Sequence, residues 1–239
     1  MSPIIPQNSW SLRKEIFDYL SKQIESGSLT PGSLINVRKL TETLNVSRTP
    51  LREALAQLEI QGLVSILPQR GVLINVLLYE DLLDLFEIIG ALESQVVLMV
   101  FDRITDRKIQ LMKRYNRVMK QAIIKEENRN FHETNILFHK VFLDLSTNLE
   151  LTVYVSSLKL RLFGFALKSY RDRFKRAIVA EHDVFIALLK EGKRQSAAAY
   201  LKDVHWKFNY PDNFIRPDTV ENNRTGDIQN VGSSPKELI

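Results

Sequence analysis

A chain of 239 residues that is 44% hydrophobic and 26% charged, with 9 Gly and 8 Pro, suits one large or two small globular domains and excludes collagen-like, low-complexity and wholly disordered classes. It contains no Cys, which rules out disulfides, thiolate zinc sites, iron–sulfur clusters and cysteine nucleophiles, and no apolar run reaches the roughly 18 residues of a membrane span. The net charge of +5 permits an anionic partner, but neither end is polybasic, so such contact must come from a few placed residues.

Met1-Ser2-Pro3-Ile4-Ile5-Pro6 lacks the basic and apolar regions of a secretory signal, so a cytoplasmic protein without membrane contact is expected. In residues 12–24, Leu12, Ile16, Leu20 and Ile24 recur four apart as the stripe of an amphipathic helix, and Gly27 with Thr30-Pro31-Gly32 ends it. Asn36 can cap a short helix through Val37, Leu40 and Leu44, with Asn45 as a left-handed stop. Ser47 then caps a third helix to about Gln61, with Leu51, Ala54, Leu55 and Leu58 inward and Gly62 ending it. Two β-prone runs, 63–66 and 72–76, flank Pro68-Gln69-Arg70-Gly71, a hairpin turn. Three helices and a hairpin make a winged helix-turn-helix over residues 1–78.

After Tyr79 the sequence reads as helices near 80–101, 105–127, 130–145, 149–168, 172–191 and 195–208, an all-α helical bundle with its own core over 79–208. From Asn209 to 239 the polar sequence has no periodicity and reads as a mobile tail. The expected fold class is therefore mainly α.

In a helix-turn-helix the start of the second helix of the motif enters the major groove. Here it carries Ser47, Arg48, Thr49 and Arg52, with the two arginines one turn apart and opposite Leu51 and Leu55. Arginine can read guanine bidentately, and the hydroxyls can bond phosphate. Arg38 and Arg70 flank this surface and suit backbone contacts. The segment Val46-Ser47-Arg48-Thr49-Pro50-Leu51-Arg52-Glu53-Ala54-Leu55, with Pro31-Gly32, Leu58-Glu59 and Gly62-Leu63-Val64, resembles the DNA-binding domain of the GntR superfamily of bacterial transcription regulators. The resemblance implies a homodimer on double-stranded operator DNA, with Arg48, Thr49 and Arg52 on the recognition helix and Gly71 in the wing.

The four His, at 132, 139, 182 and 205, all fall in the helical region. Phe131, Asn135, Phe138, Phe142 and Leu145 form one face, with His139 on its flank; His182 joins Ile178, Phe185 and Leu189, and His205 joins Leu201 and Phe208. Three imidazoles from three helices thus point toward a shared core, where each needs a hydrogen-bond partner or a metal. With the Asn135 oxygen they make an N/O donor set suited to Zn²⁺ or Ni²⁺. Leu92-Glu93, Asn135-Ile136-Leu137-Phe138-His139, Asn148, Glu181-His182, Gly192 and His205 resemble the FCD ligand-binding domain of the FadR subfamily. That resemblance implies a divalent metal on Asn135, His139, His182 and His205 beside a small carboxylate effector. Two positions depart from the family pattern: Asn135 stands where Asp is frequent, and Ile89 where an Arg is common. Arg161, beside Leu158 and Leu162, is a substitute candidate for effector contact, against the reading that it is a solvated surface residue. Together these readings describe a metabolite-responsive repressor. The alternatives are an architectural DNA-binding protein with a structural His cluster, and a metal-dependent hydrolase, for which no H-E-x-x-H motif supplies a general base.

Overall fold

The four-residue apolar spacing at the start of the chain produces a helix, α1 (Ser9–Glu25), that buries Ile16, Leu20 and Ile24 and leaves Leu12 half-exposed. The computed structural model describes residues 9–25, 27–166 and 172–207, which divide into two compact units after Leu77. The expected tail from 209, the end of the fourth helix of the bundle at 168 and Phe208 lie outside the described residues.

In the first unit, β1 (Leu34–Ile35) precedes α2 (Val37–Leu44) and α3 (Arg48–Ile60), followed by β2 (Val64–Leu67) and β3 (Gly71–Ile74). Asn36 caps α2 as expected, its Oδ1 accepting from Lys39 N–H at 3.1 Å, and Asn45 ends the helix at φ 50°. Ser47 occupies the cap position of α3, but its side chain makes no capping bond. The hydroxyl thus stays available on the surface. Leu51, Ala54, Leu55 and Leu58 are sealed beneath α3, each worth about 1–3 kcal/mol of burial by size.

The sheet has one strand more than the sequence reading anticipated. β1 pairs antiparallel with β3 through Leu34↔Leu73 and Ile35↔Val72, giving the order β1-β3-β2. Two residues at an edge carry no alternation, so periodicity could not find them. Gly71 has φ 117°, and a Cβ there would lie 2.6 Å from the Ile35 carbonyl oxygen, so only glycine lets β1 approach. Arg70 N–H closes the wing turn on Leu67 O at 3.1 Å.

The second unit is a helical bundle: α4 (Tyr79–Val100), α5 (Asp106–Ile124), α6 (Asn128–Leu143), α7 (Leu149–Ala166), α8 (Asp172–Lys190) and α9 (Arg194–Tyr200). A 3₁₀ turn, Phe101–Arg103, follows α4, and a π-helical segment, Leu201–His205, continues α9. Its core is built on Phe131, Phe138, Phe142 and Phe185. The apolar spacing predicts one α-helix over 195–208; instead Trp206 N–H reaches Leu201 O, five residues back, at 2.9 Å. Gly90 on α4 makes room for this wide turn, because a Cβ there would lie 2.7 Å from Trp206 Cβ. Among the described residues no helix is long and apolar enough to cross a membrane.

Candidate nucleic-acid interface and metal centre

Burial on α3 is one-sided. Pro50, Leu51, Ala54, Leu55 and Leu58 face the core, while Arg48, Thr49 and Arg52 face solvent with Ser47 at the cap. Arg70 at the wing tip is exposed, and among the described residues no ion pair engages Arg48, Arg52 or Arg70. Arg38 on α2 is exposed and holds Glu42 at 3.2 Å, one turn on. Such a pair contributes little and is exchanged readily for a phosphate. Gly71 differs from the other predicted contacts: its role in the fold is to admit β1, as above.

The three imidazoles predicted to converge do so. The nearest ring nitrogens of His139, His182 and His205 all lie within 4.8 Å of one another, and all three rings are buried. His139, expected on a flank of α6, is fully enclosed, since α6 is buried on both sides of its aromatic stripe. His182 stacks flat on Phe138 with centroids 3.7 Å apart, which fixes its ring plane.

Each imidazole has an oxygen acceptor at Nδ1. His139 Nδ1 meets Glu93 Oε2 at 2.8 Å, His205 Nδ1 meets Glu181 Oε2 at 2.9 Å, and His182 Nδ1 meets Asn116 Oδ1 at 3.2 Å. The Asn116 orientation follows from its amide nitrogen, which donates to Val179 O at 3.0 Å and Asp183 Oδ1 at 2.7 Å. An acceptor at Nδ1 puts the proton there and leaves Nε2 as a bare lone pair. His139 Nε2 and His205 Nε2 then face each other at 3.3 Å, and His182 Nε2 has no hydrogen-bond partner. Asn135 Oδ1, on the same helix as His139 and one turn before it, is likewise buried and unbonded. Lone pairs gathered in a dry interior repel one another unless a cation lies among them.

The electrostatics favour neutral rings at His139 and His182. Burial pushes His139 down to about 3 despite Glu93, and pushes His182 well below its ordinary value, with the neighbouring His205 and His139 adding to the effect. Burial alone would raise Glu93, but the charges of His139 and Lys159 outweigh it and hold the carboxyl at about 2. Since His139 is neutral near pH 7, the lasting counter-charge is Lys159 on α7. It forms an ion pair with Glu93 Oε1 and lies 5.1 Å from the centre of the Trp206 ring. Burial lowers Lys159 while Glu93 opposes that shift. Glu93 Oε2 also accepts from Trp206 Nε1 at 2.8 Å.

Three of these groups escaped the sequence reading as chemistry: Glu93, Asn116 and Lys159. Each is a polar residue set within an apolar stripe, Asn116 between Met112 and Met119 on α5 and Lys159 between Val155 and Leu162 on α7. That interruption is the available signal. Arg161 lies on the rim instead, 3.9 Å from Asp81, and its neighbour Leu158 is half-exposed. The buried cation beside the imidazoles is Lys159. His132, also buried, packs edge-on against Phe131 and is no part of the three-imidazole group.

Comparison with known proteins gives two family matches in one chain. Residues 12–74 match the model for bacterial regulatory proteins, gntR family, and residues 84–204 match the FCD domain. The nta operon transcriptional regulator of Aminobacter aminovorans is 30% identical over 176 residues, spanning 72% of this chain and 80% of that protein. The gluconate operon transcriptional repressor of Bacillus subtilis is 24% identical over 200 residues, spanning 80% of this chain and 79% of that protein. Among solved structures, E. coli McbR/YncC superposes with a TM-score of 0.70 at 21% identity, covering 82% of this chain and 93% of that one.

Proposed function

Because the chain belongs to the gntR family of bacterial transcription regulators and carries an FCD domain, we propose that it is a metabolite-responsive repressor. In this reading a cytoplasmic homodimer holds a two-fold operator in double-stranded DNA through residues 1–78. A divalent transition metal, Zn²⁺ or Ni²⁺, and a small carboxylate effector bind within residues 79–208. The family is one of regulators rather than enzymes, and the likeness to the gluconate operon repressor favours repression.

The observation that carries the effector half is the set of Nε2 lone pairs turned toward one another while every Nδ1 is engaged, with the unbonded Asn135 oxygen buried on the same helix. Carboxylate or amide acceptors behind ligating imidazoles fix tautomer and orientation, which is the usual support of a metal centre. The residues present fit a divalent ion: His139, His182, His205 and Asn135 would hold it. When bound, the ion supplies positive charge that attracts effector oxygens. The protein's own groups do the rest. Glu93, Asn116 and Glu181 hold the rings in place, and the phenylalanine core excludes water.

For the DNA half, Arg48, Thr49 and Arg52 would reach base edges, while Ser47, Arg38 and Arg70 would bond phosphates and Gly71 would shape the wing. Two recognition helices would address half-sites about 34–36 Å apart. Sedimentation with and without operator tests the dimer; monomer alone at micromolar concentration would overturn it. Elemental analysis and melting with added Zn²⁺ or Ni²⁺ test the centre. Metal in the purified protein, or a raised Tm, supports it. No metal and no shift would favour the second reading, an architectural DNA-binding protein whose hydrogen-bonded His cluster is structural.

A further inference from the structure

The proposed function leaves Glu59 without a role, although it belongs to a motif of the sequence, Leu58-Glu59. It sits in the last turn of α3, where the helix dipole disfavours a carboxylate. What it meets there is the wing: Glu59 Oε1 accepts from the backbone N–H of Ile66 at 2.6 Å. Ile66 is on β2, the edge strand in the order β1-β3-β2, and outward donors of an edge have no strand to pair with. The two ends of the wing are held differently. At its base Val64 and Ile74 are sealed in the core, and the Asn75 amide accepts from Ser65 Oγ at 2.7 Å and donates to Gly62 O at 2.9 Å. The pairing of β1 stops at Ile35↔Val72, so beyond Val72 the hairpin is two-stranded, and such a ribbon twists more widely than a sheet interior. Pro68, Gln69 and Arg70 at the tip are exposed. Among the described residues, the Glu59 bond is the one side-chain hydrogen bond that joins α3 to the wing. It is made one residue before Leu67, whose carbonyl closes the turn that carries Arg70.

On the reading that Arg70 bonds a phosphate, we propose that Glu59 is the positioning residue of the wing: by holding β2 against α3 at Ile66, it fixes where Arg70 stands relative to Arg48 and Arg52. A phosphate contact counts only when the guanidinium lies within hydrogen-bond reach while α3 occupies the groove. α3 then carries its DNA contacts at one end and the strut that sets the wing at the other. Both Glu59 and Ile66 are exposed, so the bond governs the placement of the wing rather than the folding of the unit. The proposal differs in sign from a simple surface charge. A carboxylate that only repels phosphate would weaken binding, and its removal would tighten it; a carboxylate that positions the wing strengthens binding, and its removal loses the Arg70 contact.

The test uses the full chain and a labelled duplex selected from a random pool by the wild-type protein, with affinity read by fluorescence anisotropy across a salt series. Each phosphate contact adds about 0.9 to the slope of log affinity against log salt. Arg70→Ala should lower the slope by about that amount for each wing. Glu59→Ala should lower it equally with Arg70 intact, and the double variant should go no lower than either single one. Glu59→Gln, whose amide oxygen can still accept from Ile66 N–H, should restore the wild-type slope. Effects of Glu59→Ala and Arg70→Ala that add, a wild-type slope in Glu59→Ala, or tighter binding by both Glu59 variants would overturn the proposal. Hydrogen exchange tests it without any variant: the Ile66 amide of the wild-type protein should be protected, and exchange as fast as at exposed Gln69 overturns it. An Arg70→Ala slope equal to that of the wild type overturns the phosphate reading of Arg70 first, and this one with it.

Discussion

Replacing Asn116 by alanine separates the orienting groups from the ligands they orient. The amide makes three bonds, to Val179 O, Asp183 Oδ1 and His182 Nδ1. After truncation Asp183 keeps its Lys120 partner at 2.8 Å, so the main orphan is the buried Nδ1–H of His182. An unsatisfied buried donor costs about 1–3 kcal/mol and the two other lost bonds about 1 each, so a total of about 3–5 kcal/mol is expected. His182 also loses the acceptor that keeps Nε2 free, and loss of such a partner weakens metal binding by about 10–100-fold. Asn116→Asp divides the two effects: it retains an acceptor for His182 but sets a second carboxylate against Asp183. It should lose stability and keep metal affinity within a few-fold. Calorimetric Ni²⁺ titration beside chelator-treated thermal melts reads both quantities. An alanine variant that melts early yet binds Ni²⁺ within twofold of wild type would refute the argument that Asn116 acts by holding the tautomer.

Arg48→Ala and Arg52→Ala should each weaken operator binding by about 1–3 kcal/mol in a mobility assay at matched salt, with circular dichroism unchanged because both side chains are exposed; wild-type affinity in both would remove them from the reading surface. Gly90→Ala should destabilise the helical unit by about 1–3 kcal/mol, since its Cβ would meet Trp206 Cβ at 2.7 Å. Trp206 emission should shift as the π-helical segment is displaced, and an unchanged spectrum and Tm would contradict the close approach. In chelator-treated protein, His139 and His182 are depressed from 6.5, so the unfolded chain binds protons more readily. Their contribution is full above pH 6.5 and is lost as the pH falls toward the His139 value of about 3, by up to about 1.4 kcal/mol per unit for each group. Stability that rises on acidification through this window would contradict it.

Helix α3 was legible because its signals are local. A cap residue, an inward Leu-Ala-Leu-Leu spacing and a terminal glycine all fall within about sixteen residues, and the exposed arginines follow from the phase those apolar positions set. The converging imidazoles were legible for the same reason, each lying in phase with buried apolar neighbours on its own helix. What stands behind them was not. Nothing near Asn116 in sequence indicates that it meets His182, 66 positions away, or that Glu93 meets His139 across 46. Periodicity assigns a side chain to the inward face and leaves its partner to tertiary packing. Lys159 adds a second difficulty: a lysine in an apolar stripe reads as a side chain that snorkels to water, and only the carboxylate on α4 makes its full burial tenable. The π-helical segment was invisible because one extra residue in a turn leaves the apolar pattern before it intact.

The centre draws on every long helix of its unit. α4 gives Glu93, α5 Asn116, α6 Asn135 and His139, α7 Lys159, α8 His182 and Glu181, and the π-helical continuation of α9 gives His205 and Trp206. Anything that binds among the Nε2 atoms therefore acts on the packing of six helices at once. Packed interiors change between discrete arrangements more readily than they stretch. A ligand can favour one arrangement only by as much as it binds that arrangement better; reversing a 1:99 population to 99:1 takes a difference of about 5.5 kcal/mol.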